Sequence, residues 1–97
     1  MHASRKAALA SFFVGLAAAH GLALDPAPTA KQLRQWMGDE CISAGRRAGI
    51  DYSRLLDRAI ERDPAGLVGL FRFTVSDWFV GAAAENHCGI LLGLLQR

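Results

Sequence analysis

The sequence predicts an all-α fold in which four short helices pack as two antiparallel hairpins behind an N-terminal signal peptide. Apolar residues beyond position 29 recur at steps of three and four, which is the spacing of one face of a helix. Residues that favour helix starts, Thr29, Asp51 and Asp63, precede three of these periodic segments. We expect no strands, and the length of 97 residues allows one domain of ordinary size.

The N-terminus has the layout of a signal peptide, predicted over residues 1–23. Positive charge comes first, and residues 7–19 then carry no charge, as in the apolar region of an export signal. Small residues permit cleavage after Ala23, the preferred site, or after Ala19. We therefore expect residues 24–97 to form a small exported domain, either periplasmic or secreted.

An uncleaved leader is the alternative, because residues 7–24 are just long enough to span a bilayer and anchor the domain. We expect membrane contact only through that leader. The formal net charge of +2 also belongs to the leader, since Arg5 and Lys6 account for the whole excess. The remaining chain is neutral and has no electrostatic footprint for phosphate backbones, so nucleic-acid binding is not expected.

The first helix after the leader is predicted over residues 30–47. Thr29 and Gln32 have the spacing of a capping box, in which each side chain accepts a hydrogen bond from the other residue's backbone amide. Gly49 supplies a stop after the last periodic residue. Cys41 falls on the apolar stripe of this helix.

The second and third helices are predicted to form a tight hairpin. Asp51 caps a second helix that extends through Asp63, and Asp63 with Pro64 then starts the third. The second helix has one apolar stripe and a charged outer face, which we interpret as a solvated surface. The third helix is apolar on nearly all sides, so we expect it to be central or to lie under a partner.

A loop over residues 75–81 separates the third helix from the last, which is predicted from Ala82 to the C-terminus. The aromatic residues of this loop, Trp78 and Phe79, are expected to pin it to the domain. On the last helix, Gly89 and Gly93 form a small-residue ridge that favours close helix crossing.

The two cysteines are predicted to form a disulfide. An oxidising compartment lets an even pair of cysteines close, and Cys41 and Cys88 lie on or beside apolar stripes of the first and last helices. The bridge would clamp these two helices together. The alternative is a pair of buried free thiols that act as small apolar fillers.

Only one cluster suggests chemistry, the adjacent residues His87 and Cys88, since an imidazole and a thiol can act as base and nucleophile. Neighbouring residues of a helix point about 100° apart, so this pairing is geometrically poor. A thiol- or histidine-dependent enzyme, or a ligand carrier, is kept as the alternative function. No motif indicates a catalytic residue, a cofactor or a metal site, and none is expected.

The leading functional hypothesis is an exported helical module that binds another protein or associates with itself. The apolar third helix motivates it, together with a last helix that ends without a cap. The uncapped end also allows the domain to be the N-terminal part of a larger protein. The candidate residues for a pocket or interface are mostly aromatic and lie in the apolar segments: Trp36, Phe71, Trp78, Phe79 and His87.

Overall fold

The computed structural model describes residues 26–97, and this part of the chain is entirely α-helical with no strand. The helices are α1 (Ala30–Arg47), α2 (Tyr52–Ile60), α3 (Pro64–Thr74) and α4 (Gly81–Leu95). The prediction of an all-α fold with four short helices is confirmed. The predicted signal peptide and its cleavage sites lie outside the described residues.

Helix α1 begins at the predicted capping box. The Thr29 amide donates to Gln32 Oε1 over 2.9 Å, and the Gln32 amide donates to Thr29 Oγ1 over 3.1 Å. The predicted bounds are correct, but the helix contains a break at Gly38 (φ 56°, ψ −174°) that the sequence analysis did not anticipate. That backbone conformation is essentially restricted to glycine.

Helices α2 and α3 form the predicted hairpin. The side chain of Asp51 accepts from the Arg54 amide at the start of α2, and that of Asp63 accepts from the Ala65 amide at the start of α3. Helix α2 ends earlier than predicted, at Ile60, because Arg62 adopts a left-handed φ of 65° and turns the chain. Asp63 consequently belongs to the connection and caps α3 rather than ending α2.

Two glycines permit close helix packing. A Cβ on Gly66 of α3 would clash with the backbone nitrogen of Ala59, so the hairpin depends on the missing side chain. A Cβ on Gly93 of α4 would lie 2.7 Å from the Pro28 ring, whereas one on Gly89 would meet nothing within 4 Å. Of the predicted small-residue ridge on α4, only Gly93 therefore lies at a close contact.

The packing joins α2 to α3 and α1 to α4, and α1 also contacts α2. Helices α1 and α4 are far apart in sequence, so their contact closes the fold. At the surface, Arg34 of α1 donates to Asp57 of α2 over 2.9 Å, and Arg97 donates to the Pro28 carbonyl over 3.2 Å. The core lies between the two pairs and consists mainly of these buried residues: Leu33, Met37, Cys41, Tyr52, Leu56, Leu70, Phe73, Ile90 and Leu91. None of the four helices has the length and apolar character that crossing a bilayer requires.

Candidate functional site

A buried histidine connects three helices at the centre of the core. His87 of α4 has no exposed surface. Its Nδ1 lies 2.6 Å from the hydroxyl of Tyr52 on α2, and its Nε2 lies 2.7 Å from the hydroxyl of Thr74 on α3. Because each hydroxyl can donate or accept, either neutral tautomer of the imidazole has both nitrogens paired.

Aromatic rings enclose this imidazole. The ring centroids of Tyr52, Phe73 and Phe79 lie 5.5, 4.9 and 5.6 Å from that of His87, all in edge-on arrangements. Edge-on contacts of this kind stabilise an aromatic core beyond the area they bury. The result is a closed, fully hydrogen-bonded cluster, since every buried side-chain nitrogen and oxygen of residues 26–97 has a partner.

Burial changes the protonation of this cluster. It lowers the pKa of His87 from 6.5 to about 4, and the backbone carbonyl of Leu70 opposes the shift only in part. Burial also raises the pKa of the Tyr52 hydroxyl well above its usual range. At neutral pH both groups are therefore uncharged, which suits a structural role in a core.

The predicted disulfide is not formed. Cys41 and Cys88 are both free and buried. The packing of α1 on α4 directs the Cys41 thiol to the backbone carbonyl of Ala83, to which it donates over 3.6 Å. The Cys41 thiol is thus hydrogen-bonded to the backbone of α4 and not bonded to the sulfur of Cys88.

The two thiols are also poor nucleophiles. Burial raises the pKa of Cys41 to about 11 and that of Cys88 to about 12. Only the thiolate attacks, and at neutral pH both groups are almost wholly protonated. With His87 fully buried and neutral, these properties disfavour the alternative of thiol- or histidine-dependent catalysis. No group of three or more His, Cys, Asp or Glu residues between 26 and 97 is placed to hold a metal ion.

The five predicted pocket or interface residues occupy different places. Phe79 and His87 contact each other in the core. Trp36 lies at the surface beside α4, and Trp78 lies in the loop before α4 with the guanidinium of Arg47 5.1 Å from its ring. Phe71 is on the outer side of α3 and is 45% exposed.

The outer side of α3 carries the most extended apolar surface on any one helix of the described chain. Val68 and Phe71 of α3, and Val75 at its C-cap, are spaced i, i+3 and i+7 along one side and are 52%, 45% and 68% exposed. We call these three residues the α3 stripe. The opposite side of α3, with Leu70 and Phe73, is fully buried. Of the two predicted positions for the third helix, central or under a partner, the single chain does not provide the first, because only one side of α3 is covered.

A groove of about 480 Å³ runs beside the α3 stripe, between α2 and α3. Apolar residues line it together with three arginines, Arg54, Arg58 and Arg72. None of these three arginines forms an ion pair with another described residue. The carboxylate of Asp51, which also lines the groove, accepts from the α2 backbone. The sequence analysis interpreted the charged face of the second helix, which includes Arg54 and Arg58, as a solvated surface, and the i, i+4 spacing of these two arginines was the available signal that they act together.

Comparisons with known proteins add no function, because no family model, curated protein or solved structure matches this chain.

Proposed function

We propose that this chain is an exported protein-interaction module that binds its partner through the α3 stripe. The observation that carries the proposal is the exposure of Val68 and Phe71 on α3 and of Val75 at its C-cap, all on one side. Large apolar side chains scattered singly are normal on a protein surface, whereas aligned ones are typical of interaction sites. The stripe also contributes nothing to the core, because α3 packs through its other side.

The closed core supports an interaction rather than a reaction. The side chains most capable of catalysis, His87 and the two thiols, are buried and uncharged. They cannot contact a substrate unless the core opens. The accessible features are instead an apolar stripe and a charged groove beside it. These are means of binding rather than of bond making.

Export is the part of the proposal that depends on residues 1–23. Its support is the order of charges and apolar residues in the sequence. Mass spectrometry of the protein recovered outside the cytoplasm should find a chain that begins at Leu24 or His20. A chain recovered only from the cytoplasm with its leader intact would refute export without affecting the proposed interaction.

Site-specific photocrosslinking tests the proposed interface. A photoreactive amino acid at Val75, on the stripe, should give a discrete crosslinked product in the source cells. The same group at Ser43, an exposed residue of α1, should not. Sedimentation velocity of the purified chain shows whether the product is a second copy. A strict monomer with no product specific to Val75 would refute the proposal.

A further inference from the structure

We propose that the partner presents an acidic amphipathic helix, which lies along α3 with its apolar side on the α3 stripe and its carboxylates on Arg54, Arg58 and Arg72. This inference rests on the proposed function and adds the chemistry of the partner. It follows from the charge of the groove, the continuity of its apolar floor and the geometry of the stripe.

The groove carries a net positive charge, because Arg54, Arg58 and Arg72 line it with a single carboxylate, that of Asp51. Arg54 and Arg58 are one helical turn apart on α2, so their side chains project on the same side, and Arg72 faces them from α3 across the groove. Among the described residues, the Asp57 carboxylate pairs with Arg34, and the Asp51 carboxylate in the groove accepts from the α2 backbone and forms no ion pair with the three arginines. Three guanidinium groups that form no ion pair within residues 26–97 favour carboxylates, which they bind in a bidentate manner.

The floor of the groove is apolar and continuous with the stripe. Leu55 of α2 and Val68 of α3 both line it. A Cβ on Gly69 would lie 2.5 Å from the Leu55 side chain, so leucine packs directly over the glycine and closes the floor. Val68 belongs to both surfaces, and Arg72 extends from the same helix one turn later. An apolar strip bordered on one side by positive charge is thereby formed.

An amphipathic helix has the matching arrangement. The stripe covers eight residues from Val68 to Val75, about 10 Å along the direction of α3. This length corresponds to apolar side chains at i, i+3 or i+4, and i+7 of a partner helix. Acidic residues beside that apolar face would reach the arginines. An antiparallel twofold pairing of this face with a second copy is disfavoured, because it would place the arginines of both copies along the same side of the interface.

Binding of designed peptides tests the charge and the stripe separately. The probes are three fluorescein-labelled helical peptides of about 16 residues, long enough to cover the stripe. The first has a leucine face bordered by glutamates, the second has the same leucines bordered by lysines, and the third has the glutamates with its leucines scrambled. We expect the full chain to bind only the first in fluorescence anisotropy titrations, and binding to weaken as salt is raised.

Matched variants locate the contact. Reversing charge with Arg58→Glu or Arg72→Glu should weaken binding of the first peptide by about tenfold each. Lys31→Glu changes the net charge equally at an exposed residue of α1 that does not line the groove, and it should leave affinity unchanged. Phe71→Ser should weaken binding through the stripe alone. Helical circular dichroism and the thermal midpoint of each variant verify that the fold is retained.

The outcomes separate the two proposals. One outcome is binding that Phe71→Ser abolishes but that depends neither on peptide charge nor on Arg58→Glu or Arg72→Glu. This result would overturn the inference of an acidic partner and leave the proposed interaction module unaffected. Failure of all three peptides to bind would overturn the inference, while the photocrosslinking product at Val75 would still decide the proposed function. Dodecanoate serves as a fourth probe. If it binds and no peptide does, the groove is assigned to a small amphiphilic anion, and the inference is overturned as well.

Discussion

Acidification should destabilise this protein through His87. The imidazole is fully buried between the Tyr52 and Thr74 hydroxyls, and burial lowers its pKa from 6.5 to about 4. Between these two values the unfolded chain binds a proton that the folded chain excludes, so stability falls as the pH falls. The contribution is complete above pH 6.5 and is lost by pH 4. This pKa difference between the unfolded and the folded chain corresponds to a loss of about 3 kcal/mol in the free energy of unfolding, or about 1.4 kcal/mol for each pH unit.

That loss is large for a domain of this size. Folded domains are stable by roughly 0.05–0.15 kcal/mol per residue, so about 3 kcal/mol is a substantial share of what holds residues 26–97 together. Urea unfolding at a series of pH values measures it directly. Because acidic groups elsewhere also titrate, the comparison is with His87→Gln, whose amide can pair with both hydroxyls but does not titrate.

The wild-type chain should lose about 1.4 kcal/mol per pH unit more than His87→Gln between pH 6.5 and pH 4. Nuclear magnetic resonance of the imidazole C–H groups gives an independent reading, since His87 should remain neutral in the folded protein at pH 5. Parallel stability curves, or an imidazole that titrates near 6.5 in the folded state, would refute the inference that burial dominates this site.

Three further changes test the packing and the core. Gly66→Ala places a methyl group against the α2 backbone and should destabilise the fold by about 1–3 kcal/mol in urea unfolding. Gly89 is a helical glycine with open space around it, so Gly89→Ala should instead stabilise the fold by about 0.5–1 kcal/mol. Equal effects of the two substitutions on the free energy of unfolding would contradict the close contact at Gly66. Tyr52→Phe leaves a buried imidazole nitrogen unpaired and should cost about 1–3 kcal/mol, again by urea unfolding. The thiols of Cys41 and Cys88 should resist Ellman's reagent at pH 8 until urea unfolds the chain, because about one thiol in a thousand or fewer is ionised in the folded protein. Rapid reaction of the native protein would show that the thiols are accessible.

The helices and their boundaries follow from local sequence. The start of α1 depends on Thr29 and Gln32, three residues apart, and the start of α3 depends on Asp63 beside Pro64. These interactions close within one helical turn, so they can be predicted without knowledge of distant residues. The break at Gly38 was missed because a glycine inside an amphipathic pattern does not by itself indicate which backbone conformation it adopts.

The candidate site depends on contacts that no local pattern contains. His87 joins hydroxyls that lie 35 and 13 residues away in the chain, and Cys41 meets the backbone of Ala83 rather than Cys88. The axial register of one helix against its neighbour determines such pairs. A shift of one helix by one turn would bring different residues into contact. Periodicity predicts which residues face inward but not their level along the neighbouring helix.

By itself, the sequence determined an all-α domain, the starts of α1 and α3, and the buried sides of α1 and α2, because these depend on spacing along a single helix. Tertiary structure decided which side of the apolar α3 remains open, and that Arg54, Arg58 and Arg72 line one groove. An all-round apolar helix has no preferred side in its sequence. The side left exposed is fixed only when Gly66 lets α2 approach and the opposite residues enter the core.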